Sequence, residues 1–290
     1  GFAIAAAVGI YQSCQVDPQL PVWDRPRAHA FVHPVTFGCQ MTIAVIGASC
    51  FLVRPPRIWR GPRGRAAAMG LLAVCGTALF FSNTRGALFA CFLALAATAL
   101  LLPRPRKMLM LALAVGLALF FAGELARPDR SLIAEFAGWK TPLLIHGTQK
   151  MRLLLWDVAL RIGIDHPLTG VGHNNFRTVF ENYHNGLLEG YAKNWGTAHN
   201  LYLHHFAERG LLGLTALLVF LGAFWLRALR RVRQAAEPWN LWAFGTATAF
   251  LFMNMTEVAL QVEILWMLVF FVWIWAEVLH RRRPHAAPAP

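Results

Sequence analysis

The chain is 290 residues long, 57% hydrophobic and only 14% charged, with a formal net charge of +13. A soluble domain of this size carries roughly 25% charged residues, so the composition excludes an ordinary water-soluble globule and points to a bilayer as solvent. The positive excess does not mark a nucleic-acid binder, because the basic residues sit in short blocks between apolar runs and form no stripe.

The sequence opens directly on an apolar run, 1–13, without an initiator Met, which reads as the cut end of a longer protein. It is not a signal peptide, since no basic stretch precedes it and no small-residue cleavage site follows. Further runs that span, or nearly span, follow at 35–53, 66–82, 86–102, 108–123, 211–226, 239–255 and 262–279. A hydrocarbon core of about 30 Å takes roughly 20 helical residues, so the shorter runs must extend into their polar flanks. None alternates as a membrane strand does. A backbone in lipid has to satisfy its own hydrogen bonds, so these runs are helices. The expected fold is an all-α polytopic membrane protein with three regions. Residues 1–123 hold helices with short loops, 124–210 form a large loop, and 211–290 hold the last helices and a basic tail.

The connections set the orientation. Arg54, Arg57, Arg60, Arg63 and Arg65 fill 54–65, and Arg104, Arg106 and Lys107 fill 103–107. Arg227, Arg230, Arg231 and Arg233 fill 227–237, and Arg281, Arg282 and Arg283 begin the tail. Every second connection is one of these blocks. The positive-inside rule therefore places them and the C-terminus in the cytoplasm. The connections 14–34, 83–85, 124–210 and 256–261 then face outward. Five cysteines, Cys14, Cys39, Cys50, Cys75 and Cys91, include no CxxC pair; they read as inert thiols, not as a metal or disulfide framework.

Segment 124–210 is too long for a plain connection. Trp139, Trp156, Phe176, Phe180, Tyr183, Tyr191 and Trp195 give it too much apolar surface for disorder. Within it, 149–163 predicts an amphipathic helix on or near the membrane surface, with Met151, Leu154, Leu155, Val158 and Ile162 at helical spacing.

Three stretches could carry chemistry. The first is the polar turn Ser82–Ala87, with Arg85 at the membrane edge. Such an arginine is either functional or one that reaches into headgroups. The second is Arg152 and Trp156 in the amphipathic helix, followed by the turn Asp165–Gly172. Arg152 alone could be an interfacial anchor. Gly170 and Gly172 are too short for a dinucleotide fingerprint and follow no strand. The third runs from His199 through Asn200, Tyr202, His204, His205 and Glu208 to Gly210. A single histidine is ordinarily a polar interface residue. His204 and Glu208 lie at i, i+4, but there is no His-Glu-x-x-His pattern and His199 is out of phase with the pair, so a zinc site is not expected.

Together these residues resemble a family. His199-Asn200, nine residues, Gly210, two residues, Gly213 is similar to the histidine motif of bacterial O-antigen ligases. The Asp165–Gly172 turn, the Thr84-Arg85-Gly86 turn, and the opening region with Arg25-Pro26 and His33-Pro34 look like the same family. One departure is Trp156, where the family's second arginine is followed four residues later by leucine. The resemblance implies a GT-C-like helical bundle with a partly helical periplasmic loop, in a Gram-negative inner membrane. It also implies inverting, metal-independent transfer of O-antigen from undecaprenyl pyrophosphate to a sugar hydroxyl of lipid A–core, with no cofactor. Two arginines can take over the role a metal plays at a departing pyrophosphate. On this reading Arg85 and Arg152 bind the donor, Asn200 and Tyr202 belong to the substrate site, and His199 serves the attacking hydroxyl as base or orienter. The alternatives are an O-antigen polymerase or a protein O-oligosaccharyltransferase of the same superfamily. A lipid-linked glycan transporter fits less well, because the long runs hold almost no ionisable residues and Glu257 and Glu263 merely flank a turn.

Overall fold

The computed structural model describes residues 1–14, 28–102, 148–184 and 195–281. The run 108–123, the block 104–107, Arg25-Pro26, Trp139, Tyr191, Arg282 and Arg283 lie outside them. The described residues are helical and contain no strand. In chain order the helices are α1 (Phe2–Cys14), α2 (Pro34–Val53), α3 (Pro62–Phe81), α4 (Arg85–Leu100), α5 (Thr148–Asp165), α6 (Phe176–Val179), α7 (Leu201–Gln234), α8 (Pro238–Met253) and α9 (Glu263–Arg281). Four of these, α2, α3, α7 and α9, are long and apolar enough to cross a membrane. The chain is thus a polytopic helical membrane protein. Proline opens α2, α3 and α8, at the one helical position where its missing N–H costs nothing. The helices outrun the apolar runs where the flanks allow it. α7 starts ten residues before run 211–226 and continues through Arg227, Arg230, Arg231 and Arg233, cations that suit a helix C-terminus.

The chain forms two compact units. One comprises Gly1–Leu109, Phe224–Met253 and Gln261–Pro290; the other comprises Met110–Ala223 and Asn254–Leu260.

In the first unit α2 packs on α3, α4 and α8, and α8 packs on α4 and α9. Apolar contact alone holds helices weakly in lipid, so close approach and polar side chains matter. Trp242 of α8 lies over Gly47 of α2, so close that a methyl group there would overlap the ring, and its indole N–H donates to the Ile43 carbonyl at 2.9 Å. Thr42 donates to the Ala87 carbonyl at 3.0 Å, tying α2 to α4.

The second unit has its own core. Met151, Leu155, Val158 and Ile162 of α5 pack with Phe176, Phe180, Ala198 and Ala207. This apolar face, which by itself suggests a membrane-surface helix, is covered by the returning chain at Phe176 and Phe180. A second strip of α5, Leu153, Leu160 and Ile164, stays exposed. Each large side chain buried in this core contributes about 1.5–3 kcal/mol. The Tyr183 hydroxyl ties the core to the end of α5, and burial together with the Asp165 carboxylate beside it pushes the Tyr183 phenol up.

Candidate active site

The start of α7 is shaped by the two residues before it. His199 takes a left-handed φ of 48°, a conformation uncommon for a side chain with a Cβ. It turns the incoming chain so that Asn200 can cap the helix. The Asn200 Oδ1 accepts from the Tyr202 N–H at 3.0 Å and the Leu203 N–H at 3.1 Å, two of the donors that a helix start leaves without partners. The Leu201 N–H donates to the Asn254 carbonyl at 2.9 Å and the Glu257 carbonyl at 3.2 Å. These bonds fix the head of α7 on the connection 254–260.

That connection supplies a residue the sequence reading passed over. The Glu257 carboxylate accepts from Arg152 of α5 through Oε1 and lies 3.2 Å from His199 Nδ1 through Oε2. Three segments distant in sequence therefore meet on one carboxylate. Side-chain exposure is 27% for Arg152, 31% for His199 and 16% for Glu257, so the group is shielded but open to a ligand. An ionised carboxylate only accepts hydrogen bonds, so in the neutral tautomer that suits this contact Nδ1 carries the proton and Nε2 keeps its lone pair. The Trp195 ring meets the His199 ring edge-on at 5.6 Å, which limits its rotation. Two indole nitrogens of this unit, Trp156 Nε1 and Trp195 Nε1, are buried with no acceptor among the described residues.

The glycine positions are structural. The turn after α5 lies against α7, with the Val171 and Gly172 N–H groups donating to the Ala207 and Glu208 carbonyls at 3.0 and 2.8 Å. At Gly210 (φ 61°, ψ −161°) α7 breaks, and the Leu211 N–H turns to the Pro167 carbonyl at 2.7 Å. Gly170 has φ +64°, and a Cβ there would stand 2.3 Å from the Glu208 backbone; one on Gly210 would stand 2.3 Å from the Leu168 backbone. Only glycine allows this mutual approach. Buried Glu208 locks the same joint, accepting from the Phe176 N–H at 3.3 Å and lying 3.6 Å from His204 Nε2 and 3.5 Å from His173 Nδ1. The His204–Glu208 pair thus stitches the Gly170–Gly210 joint. Among the described residues, no three His, Cys, Asp or Glu side chains are grouped to hold a metal ion.

The five residues singled out from sequence are therefore placed as follows. Arg152 and His199 share Glu257. Asn200 spends its side-chain oxygen on the cap, and Tyr202 is half-buried in the first turn of α7. Arg85 belongs to the first unit, where it is the first residue of α4. Its turn is seated on α2, with Thr84 Oγ1 donating to the Pro34 carbonyl at 3.2 Å. Despite the departure at Trp156, Arg152 is joined to His199 through the shared Glu257 carboxylate.

A protein-family model described as O-antigen ligase matches residues 67–219, just over half of the chain. The match takes in Arg85, Arg152 and His199 and stops short of Glu257. A comparison with curated proteins gave no match.

Proposed function

The chain belongs to the O-antigen ligase family, and on that premise we propose that it transfers O-antigen polysaccharide from undecaprenyl pyrophosphate to a sugar hydroxyl of lipid A–core at the periplasmic face of the inner membrane. The observation that carries this reading is the carboxylate of Glu257 shared by Arg152 and His199. With Nδ1–H held by Glu257, His199 offers Nε2 to the acceptor hydroxyl. The hydroxyl oxygen bonds to the anomeric carbon of the donor and its proton passes to Nε2. The bond from that carbon to the phosphate oxygen breaks, and undecaprenyl pyrophosphate departs with inversion. Arg152, Glu257 and neutral His199 together carry no net charge. Proton uptake makes the group positive just as negative charge collects on the leaving pyrophosphate, and Glu257 steadies the imidazolium formed. The remaining N–H donors of Arg152 suit the pyrophosphate. For Arg85 the support is the Thr84-Arg85-Gly86 turn in the sequence.

We expect His199→Ala to abolish attachment of O-antigen to lipid A–core while protein level and membrane insertion stay normal. Full ligation by this variant overturns the assignment. The same reaction run with purified lipid A–core as the sole acceptor separates a ligase from a polymerase, which needs a second lipid-linked glycan.

A further inference from the structure

The first unit holds a basic cavity that the transfer reaction does not use. It lies where α2 ends and α3 and α8 begin, and it measures about 390 Å³, within the usual size of a small-ligand site (about 300–1,000 Å³). Arg54, Arg60 and Arg65 line it, with Glu237 and the prolines Pro55 and Pro238. Three guanidiniums thus face one carboxylate. None of the three makes an ion pair with a described carboxylate, whereas Arg227, Arg231 and Arg281 of the same unit all reach Glu277, at 2.8, 2.7 and 3.0 Å. Among the described residues the cavity therefore carries an excess of positive charge, and the positive end of the α8 dipole opens on it.

The neighbouring residues say at what depth it sits. Phe51, two residues before the end of α2, meets the rings of Trp59, Trp239 and Trp242 at 5.5, 4.7 and 5.5 Å, and Trp239 meets Trp275 at 6.3 Å. Tryptophan gathers where a membrane helix leaves the hydrocarbon. An arginine-lined cavity beside such an aromatic layer lies at headgroup depth. Guanidiniums match phosphate oxygens bidentately. We infer that this cavity binds the phosphate headgroup of an anionic phospholipid, whose acyl chains leave along the aromatic layer.

The rival is a diffuse attraction between a basic loop and an anionic leaflet. It predicts that Arg57 and Arg63, in the same basic block but outside the cavity lining, count as much as the lining arginines. The test is native mass spectrometry of the purified full chain, titrated with phosphatidylglycerol or with phosphatidylcholine of the same acyl chains. We expect retained phosphatidylglycerol in preference to phosphatidylcholine. Arg54→Gln/Arg60→Gln/Arg65→Gln should lower that retention on the order of a hundredfold, from the usual increment per arginine at an anionic surface. Arg57→Gln/Arg63→Gln, which do not line the cavity, should leave it within about threefold of the parent, less than one such increment. If the triple variant is lost to misfolding, Arg65→Gln alone should give about fivefold. Equal loss in both sets, or no headgroup preference, overturns the assignment. Displacement of the lipid by millimolar inorganic phosphate also overturns it, in favour of a site for a soluble anion.

Discussion

Replacing Glu257 by glutamine tests the proposed mechanism at its least redundant point. The variant keeps the shape and removes the charge that joins Arg152 to His199. A hydrogen bond to a charged group contributes about 1.5–3 kcal/mol, which at about 1.4 kcal/mol per decade is roughly 10- to 150-fold in rate. The amide can also donate to Nδ1. Doing so would put the proton on Nε2 and remove the lone pair the acceptor hydroxyl needs. The general-base contribution, about 10²–10⁴-fold, is then lost as well. We therefore expect kcat to fall by about 10²–10⁴, with Glu257→Asp losing less because its charge survives. The assay is transfer of lipid-linked glycan to lipid A–core by purified protein, alongside thermal unfolding. All three partners are partly exposed, so the ion pairs themselves should add little to stability and Tm should hold. A double variant completes the argument. If Glu257 works through His199, adding Glu257→Gln to His199→Ala costs nothing further. A Glu257→Gln enzyme at the parent rate refutes the reasoning, and so does a full additional loss in the His199→Ala background.

Asn200→Ala should cost about 1 kcal/mol through loss of the α7 cap, seen as a lower Tm, and Asn200→Asp should restore it. A substrate-binding role would instead leave Asp as inactive as Ala. Gly170→Ala and Gly210→Ala each force a side chain into left-handed backbone, about 1–3 kcal/mol of strain before any clash is counted. Both should open the second unit to limited proteolysis. Arg152→Ala and Arg85→Ala should raise the donor concentration needed for half-maximal transfer with insertion unchanged. Variants that fail to insert point to anchoring arginines instead.

The membrane helices were legible because lipid imposes one rule on every residue of a span. The seven described runs are all helices, with ends displaced where proline or basic residues permit more turns. α5 was legible as a helix by its 3.6-residue period, but its surroundings were not. Period tells that a face is apolar, not what covers it. Phe176 and Phe180, more than ten residues downstream, decided that Leu155 and Ile162 fill a protein core. The roles of Gly170 and Gly210 were hidden for the same reason. Each is explained only by the other's segment.

The group proposed to act on the substrates was half legible, and the missing half shows what kind of information a motif holds. His199 and Arg152 stand out because each belongs to a local pattern. Glu257 belongs to none. It lies 58 residues beyond His199 and 105 beyond Arg152 in sequence, on a short turn between two apolar runs, where an acid reads as an ordinary polar flank. The charge alternation narrows the choice only in part. It predicts 256–261 on the same side as 124–210, but the connections predicted to share that side hold most of the 14 acidic residues. An acid confined to the side that bears the histidine can pair with it, whereas one on the opposite side cannot. Topology therefore leaves Glu257 as one outward acid among several, beside Asp157, Asp165, Glu181 and Glu208, and only the fold singles it out. The same pairing alters what Arg152 contributes. An arginine already held by a carboxylate brings no free positive charge to the donor. In the proposed mechanism its value is a fixed set of N–H donors, with the net positive charge appearing only when His199 takes the acceptor's proton.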